Sequence, residues 1–151
     1  IKRDSPARLM ILETIQDPGN LGTILRAGEG AGITGVVMNS ATADIYNPKV
    51  IRSTMGSIYR VPFVYVEDWQ QALGRIKAEG IRLYAAHLKE NEDYRTDTGF
   101  LIGNEANGLT EETAAMADWY VRIPMAGQVE SLNAAVAASI LMFETARQRR
   151  N

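Results

Sequence analysis

The chain is predicted to be an α/β protein with a mostly parallel sheet flanked by helices; one observation predicts that class and two more bound it. Short apolar runs recur with helix-like stretches between them, the alternation that layers helices on a parallel sheet. With 151 residues, 46% of them hydrophobic, the chain has the size of one compact domain with its own core. It contains no cysteine, so neither a disulfide framework nor thiolate chemistry shapes it.

The elements follow in order. The polar, Pro-containing start IKRDSP reads as a linker, so residues 1–7 are a boundary and 8–151 the folded unit, with a further domain expected upstream. Residues 8–14 read as a buried strand. Pro18 and Gly19 then break the chain, and Asn20 sits where an N-cap belongs, opening a helix over 20–31. Leu21, Ile24, Leu25 and Gly28 follow helical spacing and bury one face. Arg26 projects from the other, one turn beyond Gly22, which has no side chain to cover the space beside it.

A short strand over 35–38 and a helix over 47–54 opening on Pro48 come next. Residues 58–66 alternate and are rich in β-branched and aromatic side chains, a strand with Pro62 at an edge or irregular position. Asp68 caps a helix to about residue 79 that Gly80 stops. A strand over 81–86, a polar loop over 89–98 and a strand over 99–102 lead into the glycine-bounded turn 103–108. Thr110 begins a short helix through Met116, 120–123 is the last strand, and 131–147 a long helix. On that helix Leu132, Ala135, Val136, Ser139, Ile140 and Phe143 form one apolar face, either packed over the sheet or shared with a second subunit.

Composition narrows the function. A formal charge of −2 excludes a polycation that coats nucleic acid, although basic residues cluster at Lys2, Arg3 and Arg8, at Lys49, Arg52 and Arg60, and at Arg147, Arg149 and Arg150. His87 is the one histidine, too few ligands for a zinc site, so no metal is expected. No signal peptide and no membrane-length apolar run are visible, so a cytoplasmic protein with no membrane partner is expected.

One pattern misleads. Gly30, Gly32 and Gly35 have the G-x-G-x-x-G spacing of dinucleotide-binding folds, where a helix must follow so that its N-terminus faces the pyrophosphate. Here the glycines close a helix and lead into a strand, so a C-cap and tight turn explain them better.

Three other stretches carry chemistry. In DPGNLGTILR, an exposed Arg26 near a helix N-terminus suits an anionic oxygen or phosphate; the blander reading is a solvated side chain paired with Glu29. In LIGNEANGL, a strand ends in a loop whose exposed backbone can hydrogen-bond a flat heterocycle, and Glu105 is either a turn carboxylate or a positioned anion. In the third, VRIPM precedes a polar loop and ESLNAA, where Ser131 is explained as an N-cap while Asn133 has no local reason. All three sit on loops at the carboxyl ends of strands, where open α/β sheets bind ligands.

Together they resemble the SpoU-type (TrmH-like) RNA ribose 2′-O-methyltransferases of the SPOUT superfamily. The family's N-x-G-x-x-x-R motif matches Asn20, Gly22 and Arg26, its G-x-E-x-x-G motif Gly103, Glu105 and Gly108, and its I-P-M and S-L-N elements residues 123–125 and 131–133. Order and spacing agree over nearly the whole chain, although Thr54-Met55-Gly56-Ser57 departs from the family's usual small-residue run. The resemblance implies a C-terminal trefoil knot, a homodimer, and S-adenosyl-L-methionine held by Gly103, Ile123, Met125 and Leu132. It implies RNA, ribosomal or transfer, as substrate, and an upstream RNA-binding domain.

Its catalytic positions fall on Asn20, Arg26, Glu105 and Asn133. Arg26 would grip the phosphate beside the target ribose and stabilise the forming alkoxide; the alternative makes it the base, although arginine does not readily give up its proton in proteins. Asn20 and Glu105 would orient Arg26 and the ribose, and Asn133 would brace the cofactor loop. A base-methylating SPOUT enzyme, a non-catalytic dimeric RNA-binding module and a nucleotide-dependent oxidoreductase are the rival readings.

Overall fold

The computed structural model describes residues 6–54, 60–85, 97–120 and 134–149. In chain order these form β1 (Arg8–Leu12), α1 (Pro18–Ala31), β2 (Gly35–Asn39), α2 (Pro48–Thr54), β3 (Phe63–Val66), α3 (Trp69–Ala78), β4 (Arg82–Ala85), β5 (Thr98–Ile102), α4 (Glu111–Ala115), β6 (Trp119–Tyr120) and α5 (Ala134–Arg149). The six strands make one sheet in the order β3-β2-β1-β5-β4-β6. Every pairing is parallel, so the carboxyl ends of β1, β2 and β5 share one edge.

Both faces of the sheet are covered, which is why β1 reads RLMIL rather than as an apolar/polar alternation. Met10 and Leu12 point into a core shared with α1 and α5, where Leu21, Ile24, Leu25, Leu141 and Met142 meet Tyr84 and Phe100. Ile11 points the other way, to Leu73, Leu83 and Leu101, with Trp69, Ile76 and Met116 from α3 and the end of α4 packed against them. Helix α1 also packs on α2 and α5.

The mostly parallel α/β sheet agrees with the sequence, with some boundaries moved. Helix α1 begins at Pro18 and not at Asn20, because Asp17 is the N-cap: its carboxylate accepts the Asn20 N–H at 3.0 Å, and proline at the first helical position gives up no hydrogen bond. Strand β1 stops at Leu12, since Thr14 turns out of the extended region to φ 58°. Thr98 belongs to β5 and not to the preceding loop, because its N–H bonds the Ala7 carbonyl at 2.9 Å. Of the strand expected over 58–66, β3 holds the last four residues on the sheet edge, and Pro62 before it offers its carbonyl to Val36 N–H.

The glycine run after α1 is a helix stop. Gly32 at φ 78° caps the helix through bonds from its N–H to Glu29 and Gly28, and Ile33 N–H bonds the Gly28 carbonyl at 2.8 Å.

The apolar face expected on the last helix is divided. Ala135 is buried together with Ala138, Leu141, Met142 and Thr145, whereas Val136, Ile140 and Phe143 are 48%, 39% and 47% exposed. The alanines allow a close approach to the core and turn the bulkier residues outward. Leu132 and Ser131 lie outside the described residues, as do His87 and residues 121–133 as a whole.

Candidate active site

The site is built at the carboxyl edge of the sheet, where β1 gives way to α1. Glu13 extends the β1–β5 ladder by one bond, its N–H to the Ile102 carbonyl at 2.9 Å. Its buried carboxylate accepts from the Thr110 N–H at 2.7 Å and from the hydroxyls of Thr110 and Thr113, fastening the start of α4 beneath the edge. A buried carboxylate is tolerated when hydrogen bonds replace its lost water, and here they do.

Thr14 then takes φ 58°, and among the described residues it is the only non-glycine with positive φ. Such a backbone costs about 1–3 kcal/mol for a β-branched residue and persists only when its surroundings hold it. Two asparagines do so. Asn39 Oδ1 accepts the Thr14 N–H at 2.8 Å and Asn39 Nδ2 donates to Thr14 Oγ1 at 2.9 Å, while Asn104 Nδ2 donates to the Thr14 carbonyl at 2.8 Å.

Asn104 belongs to the 103–108 turn, which closes on itself. Asn104 and Gly108 exchange backbone hydrogen bonds of 3.1 and 2.9 Å, and Asn104 Oδ1 accepts the N–H groups of Ala106 and Asn107. The closure needs both terminal glycines. A Cβ on Gly103 would lie 2.3 Å from the Gly108 carbon and the Leu109 nitrogen, and Gly108 sits at φ 70°.

Glu105 leaves this turn and docks on the segment entering α1. Its carboxylate accepts from Asp17 N–H at 2.7 Å, from Gln16 N–H at 3.1 Å and from Asn20 Nδ2 at 3.4 Å. Partial burial pushes its pKa up, but the bonds from Asp17, its own amide, Gln16 and Asn20 together outweigh this and hold it below the ordinary carboxylate value. The loop after β5 and the start of α1 are thereby locked together by one anion.

Asn20 and Glu105, matched by the first and second motifs, therefore meet, and Gly103 lies at the foot of the same turn. Arg26 stands apart: six residues beyond Asn20, about 9 Å along the helix axis. Its side chain is exposed and makes no hydrogen bond or ion pair with a described residue. Glu29, its partner in the bland reading, is held by Arg60. Gly22 is buried, so the bare patch expected next to Arg26 does not lie on the surface. Asn133, Ile123, Met125 and Leu132 lie outside the described residues. Among the described residues no cluster of His, Cys, Asp and Glu could hold a metal, and no helix is long and apolar enough to cross a membrane.

Sequence reasoning missed Asp17, Thr14, Asn39 and the side chain of Asn104. Asp before Pro is a helix-start signature and could have been read. Nothing in a threonine announces a left-handed backbone.

A helix start, a closed glycine turn and a docked carboxylate meet at the carboxyl edge of a parallel sheet, the edge at which open α/β domains carry their sites. More specifically, the chain belongs to the SpoU rRNA Methylase family, whose sequence model matches residues 7–143. It is 35% identical over 141 residues to a 23S rRNA (guanosine(2553)-2′-O)-methyltransferase of Bacillus subtilis, covering 90% of this chain and 56% of that protein. It is 36% identical over 148 residues to a 23S rRNA (guanosine-2′-O-)-methyltransferase of Xanthomonas axonopodis pv. citri, covering 95% and 59%. Its fold matches the SpoU methyltransferase AviRb of Streptomyces viridochromogenes in complex with AdoMet, with a TM-score of 0.90 and 32% identity over 99% of this chain and 63% of that one. The chain thus spans somewhat over half the length of these relatives.

Proposed function

We propose that the chain is the catalytic domain of an enzyme that moves a methyl group from S-adenosyl-L-methionine to a ribose 2′-hydroxyl of ribosomal or transfer RNA. The observation that carries the reading is the Glu105 dock, which brings the family's first and second motifs together. Relatives that share most of this chain are named as 23S rRNA 2′-O-methyltransferases, which favours ribose over base.

Of the four positions expected to hold the donor, Gly103 is among the described residues. Gly103 lacks a side chain because its own turn leaves no room for one, and in this reading the main chain at the end of β5 faces the flat ring. Ile123, Met125 and Leu132 would complete the pocket, with Asn133 bracing it. When bound, the sulfonium supplies an activated methyl group for in-line displacement.

The residues of the chain do the rest. Arg26 holds the phosphate next to the target ribose and stabilises negative charge as the hydroxyl loses its proton to a phosphate oxygen or water. Glu105 is a positioning residue: its oxygens are occupied by Asp17, Gln16 and Asn20, so it shapes the crevice and takes no proton from the ribose. The exposed Val136, Ile140 and Phe143 give α5 a contact face for a second copy, in keeping with a homodimer whose C-terminal part is knotted. A cytoplasmic enzyme fits an RNA substrate.

The test is incubation of the protein with ribosomal and transfer RNA and labelled S-adenosylmethionine. Label at a single nucleotide whose 3′ linkage becomes resistant to alkali is expected. Label on a base, with alkali sensitivity retained, would exclude ribose transfer.

A further inference from the structure

We propose that Asn39, at the carboxyl end of β2, is a positioning residue that holds Thr14 in its left-handed conformation and so aims the Gln16 and Asp17 amides at Glu105. Its consequence for turnover rests on the methyltransferase reading above; the placement itself does not.

Among the described residues Asn39 makes no hydrogen bond to Glu105 or to the matched motif positions Asn20, Gly22, Arg26, Gly103 and Gly108, yet its bonds lead there in two steps. Its amide matches Thr14 atom for atom, the oxygen taking the backbone N–H at 2.8 Å and the nitrogen giving to Oγ1 at 2.9 Å. The opposite amide orientation would set NH2 against N–H, so the network admits one orientation only. Thr42 Oγ1 donates to the same oxygen at 2.8 Å and accepts the Ile15 N–H at 3.2 Å, which fixes the peptide that follows.

Without Asn39, the Thr14 N–H and hydroxyl lose their partner and only the carbonyl remains tied, through Asn104. A β-branched residue then relaxes toward negative φ. Ile15 keeps its own ties, its N–H to Thr42 and its carbonyl to the Ala43 N–H at 2.8 Å, so the entry to it loosens at Thr14 and the Gln16 and Asp17 N–H groups converge less closely on one carboxylate. The inference places a determinant of the crevice on β2, a strand that no motif reaches.

Amide hydrogen exchange on the full chain tests this, with the Glu105 carboxyl titrated by NMR as a second reading. In N39A the Gln16 and Asp17 amides should exchange about 10-fold faster or more, while the Leu101 amide in β5 keeps its protection. Glu105 should titrate closer to the ordinary carboxylate value. N39D should behave as wild type, because the Thr14 hydroxyl can reverse and donate to the new oxygen. The discriminating variant is N39A/T14G: glycine adopts positive φ without penalty, so protection at both amides should return at least in part. In a methyl-transfer assay N39A should lose about 10–100-fold in kcat, with KM for S-adenosylmethionine within about 2-fold of wild type.

A folded N39A with wild-type exchange would overturn the proposal. So would a double variant that exchanges as fast as N39A, or that stays unfolded where N39A is unfolded. Wild-type protein that protects both amides through Asn39 yet transfers no methyl to any RNA leaves the placement standing and removes the enzyme reading instead.

Discussion

Glu105 and Asp17 are joined by a 2.7 Å hydrogen bond from the backbone N–H of one to the carboxylate of the other, across 88 positions of sequence. Asp17 in turn caps α1 with its own carboxylate, so two acids sit side by side on one helix entrance with separate tasks. One closes the helix and the other anchors a loop.

The anchor has a pH dependence of defined sign. Glu105 is held below its ordinary pKa, so the stabilisation it provides is complete above the unfolded value of about 4.3 and is lost as pH falls through the lower folded value. Urea unfolding of wild type and E105Q should therefore differ by a constant amount near neutrality, and the two curves should converge below about pH 4. A difference that grows on acidification would contradict the dock.

Arg26 is predicted to matter for turnover and not for folding. Being exposed and free of bonds to described residues, R26A should change stability by no more than about 0.5 kcal/mol. Methyl transfer should fall by about 100–1,000-fold, with cofactor affinity by calorimetry unchanged. R26K should remain well below wild type, because an ammonium cannot grip a phosphate through two parallel bonds. Near wild-type turnover by R26A would remove Arg26 from the mechanism.

Gly103 should not tolerate a methyl group. The atoms a Cβ would strike at 2.3 Å are backbone, so the turn itself must open. G103A is expected to lose about 1–3 kcal/mol of stability and to bind S-adenosylmethionine measurably less well by calorimetry. Unaltered affinity would show that this turn does not face the cofactor.

The outward side of α5 should decide the oligomeric state. Light scattering on the size-exclusion peak is expected to give a dimer for wild type and a monomer for I140E/F143E, with the helical circular dichroism retained. These side chains are exposed in the single chain, so the charges are accommodated there and only association is penalised. A wild-type monomer would rule the interface out.

Much of this was legible in the residues. Asp68 and Thr110 announced their helices as caps, and the glycines after α1 announced its end. The meeting of Asn20 and Glu105 follows two motifs whose spacing is legible without coordinates. What stayed hidden depends on contacts between distant segments. The left-handed Thr14 is stable only through asparagines 25 and 90 positions away, and local propensity argues against it. The rotation of α5 was lost for a related reason: alanines weigh little in an apolar pattern, yet they set which side approaches the core. Asn20 was mistaken for the cap because its neighbour's claim, Asp before Pro, is three residues earlier.

The central position of β1 has a further cost in time. Its neighbour β5 is the strand that brings the anchoring acid, and both are parallel, so nearly a hundred residues must be made before that pairing exists. Long-range parallel pairing is slow, and until it forms one edge of the middle strand stays open. During synthesis β1 therefore waits with one edge open until β5 has been made, and the crevice cannot close before then.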